Sequence, residues 1–207
     1  MPQTSPYSRS LALFVVFIVL LPYLLLRQSV HTYAQTPTQS TIDPAILDLI
    51  RRQQYNDAIT RIEQVLEREP QNSEALTYMA TANLYLNLRF LESQKEFEEA
   101  FKAGGGATFI VTHSHEMFTT GEVVDYCRGW LHLRKDGIEF LPSEGSHGFK
   151  LQFGQIQEFK RNRLSKKVFH IKAGEKTYNF RGRSNTELEP LLIIALHKSF
   201  TQTGGIH

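Results

Sequence analysis

The 207-residue chain contains one cysteine, Cys127, one tryptophan and three methionines. A single thiol excludes an intramolecular disulfide and a cysteine-rich zinc site built from one chain, so packing must stabilise the fold. Catalytic signatures are missing too. There is no GxSxG elbow, no Walker loop and no GxGxxG, and the glycines at 104–106 lead into Ala107-Thr108 rather than Lys-Ser/Thr, so they read as a hinge. No complete catalytic constellation stands elsewhere, and the expectation is a non-enzymatic chain without a cofactor. Charge of one sign is also scarce. The net charge of +2 is too small for a nucleic-acid face.

The modest net charge conceals a division. Residues 1–40 hold two arginines and no acid, residues 41–106 carry a balance of −4 and residues 107–207 one of +4. An acidic middle and a basic end point to two modules with different surfaces.

Leu11 to Leu26 form one uncharged run of 16 residues between Arg9 and Arg27. At 1.5 Å per residue it spans roughly 24 Å, short of a ~30 Å hydrocarbon core. Tyr7, Ser10, Gln28 and Val30 would extend it through interfacial contacts. Thr32-Tyr33-Ala34 equally suits a signal-peptidase site. Residues 1–34 are therefore either a membrane anchor or a cleaved signal, residues 35–42 a polar linker, and the domains lie outside the cytoplasm. One arginine on each flank votes weakly on orientation.

From residue 43 the apolar spacing is helical. Asp43-Pro44 is an N-cap followed by proline at the first helical position, ahead of Ile46, Leu49 and Ile50. Asn56 and Asp57 open a second helix carrying Ala58, Ile62, Val65 and Leu66, and Pro70 closes it. A third, capped at Asn72 or Ser73, carries Leu76, Met79, Ala80 and Leu84. A fourth carries Leu91, Phe97, Ala100 and Phe101 and ends at the glycines.

Tyr55, Ala58, Ile62, Val65 and Pro70 resemble the repeat positions of the tetratricopeptide family, two antiparallel helices in about 34 residues. Leu76, Met79, Ala80, Phe90, Ser93, Phe97 and Ala100 match a second, degraded unit with one extra residue near Leu88-Arg89 and no terminal proline. The resemblance covers residues 39–104. It implies a groove for a protein partner lined by Thr77, Thr81, Leu84 and Tyr85. The alternative is that Leu84 and Tyr85 pack on the following domain. Two repeats bury little core, so residues 43–103 should lean on a neighbour.

After the glycines the period changes to two. Thr108–Thr112, Trp130–Arg134, Ile138–Phe140, a stretch with Phe149, Leu151 and Phe153 on one face, a strand ending at Phe159, Val168–Lys172 and Thr177–Phe180 read as strands. Lys135-Asp136-Gly137 and Ala173–Lys176 are hairpin turns. A closing helix places Leu188, Leu191, Leu192, Ala195 and Leu196 inward, with Asn185 as its cap and Pro190 in its first turn. Seven strands and one helix over 107–200 resemble, in pattern, a pleckstrin-homology-like barrel or sandwich. The fold class expected is α+β.

Two features point to other chemistry. Thr112-His113-Ser114-His115 resembles the start of the metallo-β-lactamase motif, but Met117 and Phe118 stand where Asp and His belong; Cys127, His132, His147 and His170 are spare ligands. The expectation is no metal site. Lys160, Arg161, Arg163, Lys166 and Lys167 put five cations in eight residues between two strands. A basic hairpin tip suits anionic head groups or an acidic partner; it also protects a sheet edge. The leading expectation is an exported or anchored adaptor that binds protein partners through its helices. The alternative is a membrane-surface module acting through the basic hairpin, or, less favoured, a degenerate metal-binding hydrolase-like protein. The oligomeric state stays open.

Overall fold

The computed structural model describes residues 42–114, 126–145 and 147–203. The apolar run Leu11–Leu26 with its anchor and signal readings, most of the linker and His115 lie outside them. The described residues belong to one compact unit. Among them no helix is long and apolar enough to cross a membrane.

Helix α1 (Pro44–Arg51) starts as its sequence dictates: the Asp43 carboxylate accepts from the Ala45 amide, and Ile46 and Ile50 are buried. Helix α2 (Tyr55–Arg68) starts before Asn56 and has no side-chain cap; Tyr55, Ala58 and Ile62 are its buried stripe. Helix α3 (Ser73–Asn87), capped by the Asn72 side chain, is the hub. Eight of its residues are buried, from Ala75 to Tyr85, because α2, helix α4 (Phe90–Lys102) and the sheet all pack on it. Its alanines let those neighbours approach closely. Helix α4 buries Ser93, Phe97 and Ala100, whereas Leu91, expected inward, is 83% exposed.

The sheet is antiparallel throughout, with order β4-β3-β2-β1-β7-β6-β5. Its strands are β1 (Ala107–Ser114), β2 (Tyr126–Arg134), β3 (Gly137–Pro142), β4 (Phe149–Gln152), β5 (Glu158–Arg161), β6 (Val168–Ala173) and β7 (Lys176–Gly182). Phe153 leaves β4 for a short 3-10 turn, Phe153–Gln155, instead of continuing the strand. Rings of β3 and β4 touch rings of β7, three and four places along this order: Phe140 lies 5.4 Å from Phe180 and Phe149 4.0 Å from Tyr178. The sheet therefore folds over on itself around an aromatic core. Helix α5 (Leu188–Thr203) closes it with Leu192, Ile193, Leu196 and Phe200, the last stacked on Phe101 of α4. Leu188 and Leu191 are exposed rather than inward. Asn185 has a left-handed backbone, φ 53°, three residues before the helix. The outcome is an α+β fold with a folded antiparallel sheet and a C-terminal helix.

One joint unites helices and sheet. β1 pairs with β2 along its whole length but with β7 only from Val111 onward. The free edge of its first half is sealed by α3. The Thr77 hydroxyl accepts from the Gly106 amide at 2.9 Å, the Thr81 hydroxyl donates to the Thr108 carbonyl at 3.0 Å, and the Tyr85 hydroxyl accepts from the Ile110 amide at 2.8 Å. The spacings match: four helical residues rise ~6.0 Å and two strand residues ~6.6 Å, so three contacts stay in step. Each bond contributes about 1 kcal/mol net, and an unsealed buried edge would cost more.

This corrects the expected partner groove. Thr77, Thr81, Leu84 and Tyr85 are all buried, Thr81 and Leu84 completely. Thr77, Thr81 and Tyr85 are taken up by the chain's own backbone at Gly106, Thr108 and Ile110. The glycines are no hinge either. A Cβ on Gly105 would meet the Ser73 carbonyl at 2.3 Å, and one on Gly106 the Leu133 carbonyl at 2.1 Å.

Behind the seam sits a buried carboxylate. Glu189, in the first turn of α5, accepts from the Tyr85 hydroxyl at 2.8 Å and from the Ser184 amide at 2.7 Å and hydroxyl. Burial raises its pKa, and the Ser184 and Tyr85 hydrogen bonds oppose the rise. Gly182 has no side chain because a Cβ there would lie 2.4 Å from the Glu189 carboxyl.

Candidate functional site

The β5–β6 hairpin carries the basic run at its tip. The Asn162 side chain builds the turn: its Oδ1 accepts from the Leu164 amide at 2.8 Å and from the Ser165 amide at 3.3 Å. The Asn162 amide then donates to the Val168 carbonyl, closing the hairpin. Such a side-chain turn holds the tip in one shape without help from the core.

At the apex stands Leu164, 98% exposed and among the most exposed large apolar side chains described. Arg163, Lys166 and Lys167 surround it and are exposed. Counter-charges sit at the base. Lys160 pairs with Glu158, and Glu187 lies 4.0 Å from Arg161 and 3.9 Å from Lys166. Exposed pairs at that distance contribute little. Lys160 first, and then His170, hold the Glu158 carboxyl down to about 2. Among the described residues Arg163 and Lys167 have no ion pair, so five cations face two carboxylates and the tip stays positive. Leu188 and Leu191, 52% and 42% exposed, follow Glu187 and place further apolar surface just past the hairpin's counter-charge.

Composition flagged the cations of this site but not the leucine, although its signal was there: one leucine amid five cations has no core to enter. Asn162 and Glu187 were also missed, since a turn-building side chain and a counter-charge from another element show only in three dimensions.

The described histidines do not gather. His113 is 7% exposed and points into the aromatic core, 4.9 Å from the Phe180 ring and 5.2 Å from Phe140, with the Cys127 sulfur 3.8 Å from its Nδ1. His132 is buried on the opposite face beneath the helices. There its Nδ1 shares a 2.9 Å hydrogen bond with the Thr108 hydroxyl, and burial lowers its pKa to about 3. His170 bonds Glu158. Among the described residues no group of three or more His, Cys, Asp or Glu is placed to hold a metal ion.

No family model and no curated protein matches the sequence. Solved structures similar to its C-terminal part carry pleckstrin-homology folds. The N-terminal PH domain of human ARAP2 has 11% identity and a TM-score of 0.38 over 48% of this chain and 81% of that one. The PH domain from TgAPH has 17% identity and a TM-score of 0.34 over 55% and 95%. Inner membrane complex sub-compartment protein 3 of Toxoplasma gondii has 12% identity and a TM-score of 0.34 over 55% and 86%. These similarities concern fold alone.

Proposed function

We propose that this chain is a non-enzymatic binding module that docks on anionic membrane surfaces through the tip of its β5–β6 hairpin. The observation that carries the reading is Leu164, held clear of the protein by Asn162 and ringed by cations. Inserting a leucine into an apolar phase stabilises by about 1.5–3 kcal/mol. Each cation near an anionic surface adds about 1 kcal/mol. With two or three cations engaged, the total is about 4–6 kcal/mol, a weak and reversible attachment. Stable residence needs a second signal. In this reading the apolar run Leu11–Leu26 supplies it, whether as a retained anchor or as the segment that brings the chain to the membrane.

The test uses the full chain carrying Leu164→Trp. Trp130, the chain's one tryptophan, is 6% exposed and gives a constant background. Phosphatidylcholine vesicles containing phosphatidylserine should shift the added emission to the blue. Raising the salt should reverse the shift, as should Arg163→Gln with Lys167→Gln. Emission that ignores phosphatidylserine at low salt would discard the reading, whatever residues 1–34 do.

The adaptor reading survives in altered form. Four consecutive helices bury Ala58, Ala80 and Ala100, but nothing identifies them as tetratricopeptide repeats. Any protein partner would have to meet a surface other than the inner face of α3. Leu88 and Leu91, 48% and 83% exposed at the α3–α4 corner, favour that corner. Loss of a crosslinked partner from Leu91→Ser but not from Leu164→Ser would support it.

A further inference from the structure

The outer face of the sheet bears a second basic feature that the hairpin does not explain. Strand pairing sets Arg128 of β2, Thr112 of β1 and Arg181 of β7 in one row, and Tyr126, Ser114 and Asn179 in the next. Directly paired residues project from the same face. These six, together with Val168 and Phe180, line an open cleft of about 400 Å³. Both arginines are exposed, and among the described residues neither has a carboxylate within ion-pair distance.

Two arginines flanking one threonine stand roughly 10 Å apart at their backbones, two strand spacings. Like charges on one face repel, most strongly when directly opposite, and Thr112 separates these two. Here no acid intervenes; a hydroxyl does. Both side chains are long enough to converge above Thr112. Guanidinium stays charged at any physiological pH, and its planar fork fits pairs of phosphate oxygens. Thr112 and Asn179 can add neutral donors. Among the described residues the lining holds no carboxylate, which argues against a metal ion or a polyamine. A phosphate monoester, with three terminal oxygens and a charge of about −1.5 to −2, fits two forks and a hydroxyl better than a carboxylate does.

We infer that the Arg128–Thr112–Arg181 row is a binding site for a phosphate monoester, carried by a soluble molecule or by a lipid head group. The site uses none of the hairpin's cations, although Val168 at the hairpin's base also lines the cleft, and it stands whether or not the tip inserts.

The full chain is titrated with glycerol 3-phosphate and, separately, with phosphatidylcholine vesicles containing phosphatidic acid or phosphatidylserine at equal charge. Arg181→Gln should weaken phosphomonoester binding at least tenfold with thermal unfolding unchanged. Thr112→Glu, which puts a carboxylate between the two forks, should abolish it. Arg163→Gln with Lys167→Gln should leave the preference for phosphatidic acid over phosphatidylserine intact, while lowering the attachment to both. Binding of the soluble ester assigns a soluble ligand, and binding in vesicles alone assigns a lipid; either supports the site. If glycerol 3-phosphate does not bind and phosphatidic acid shows no advantage over phosphatidylserine, or if Arg181→Gln binds whichever probe binds as wild type does, the inference is overturned. The hairpin reading is judged separately, by the Leu164→Trp response to phosphatidylserine.

Discussion

The α3–β1 seam and the β5–β6 tip invert each other. At the seam polar side chains are buried and every one named finds a partner: Thr77, Thr81 and Tyr85 take up backbone groups that β7 leaves unpaired. At the tip an apolar side chain is held in solvent among charges that lack full compensation. Burying a polar group is tolerated only with hydrogen bonds, so the seam serves structure. Exposing a leucine brings the fold nothing, so the tip is where to look for a ligand. The rule that polar residues face partners and apolar ones face the core would have swapped these two roles.

The largest effect should come from breaking the seam. Thr81→Arg buries a charge without a counter-charge against the Thr108 carbonyl. It should destabilise the chain by about 3–5 kcal/mol, read as a drop in the denaturant midpoint. An unchanged midpoint would mean that α3 leaves β1 open to outside partners after all.

The seam also has a pH signature. His132 has a folded pKa of about 3, below its unfolded value near 6.5, and burial lowers that of His197 to about 4. Groups depressed in this way contribute stability above pH 6.5 and lose it as pH falls toward the folded values. His132 alone accounts for about 2 kcal/mol lost by pH 5. Glu189 has the opposite sign: its raised folded pKa favours the fold as pH falls through that value, offsetting part of the histidine loss. Glu189→Gln removes the offset, so as pH falls through the raised Glu189 value stability should drop more steeply than in wild type. A shallower slope would contradict the assignment.

Leu164→Ser sharpens the comparison from the other side. It should leave unfolding free energy within about 0.5 kcal/mol of wild type. It should also reduce salt-sensitive vesicle binding about tenfold, equivalent to about 1.4 kcal/mol. A stability loss without a binding loss would make the tip structural. The smallest effect is expected at Leu88, which ends α3 in the left-handed conformation, φ 50°, with its side chain half exposed. Glycine suits that position, and Leu88→Gly should gain about 0.5–1 kcal/mol in a melting experiment.

Local structure was legible wherever short-range chemistry decides it. Asp43-Pro44 starts α1, Pro70 follows the end of α2, the three glycines follow α4, and the change of period from 3.6 to 2 marks the passage from helices to sheet. The hairpin at Lys160–Lys167 was legible as well, because a charged run between two alternating segments has nowhere to go but a turn. Less was visible about faces. His113 alternates with Thr112 and Ser114 as any strand residue does, and nothing nearby in sequence says that four aromatic rings enclose it. Leu91 and Leu191 fit helical stripes, yet the neighbours that would cover them pack elsewhere.

By itself, then, the sequence determined the elements, their order and the chemistry each carries, since periodicity, caps and turn residues act over a few positions. Tertiary structure alone decided which side chains meet. Tyr85 reaches Ile110 across 25 residues and Glu189 across 104, and Arg128 and Arg181 come to flank Thr112 only because β1 pairs with both β2 and β7. The fate of a polar side chain depends on whether a distant backbone edge needs its hydrogen bond, and no local pattern records that need.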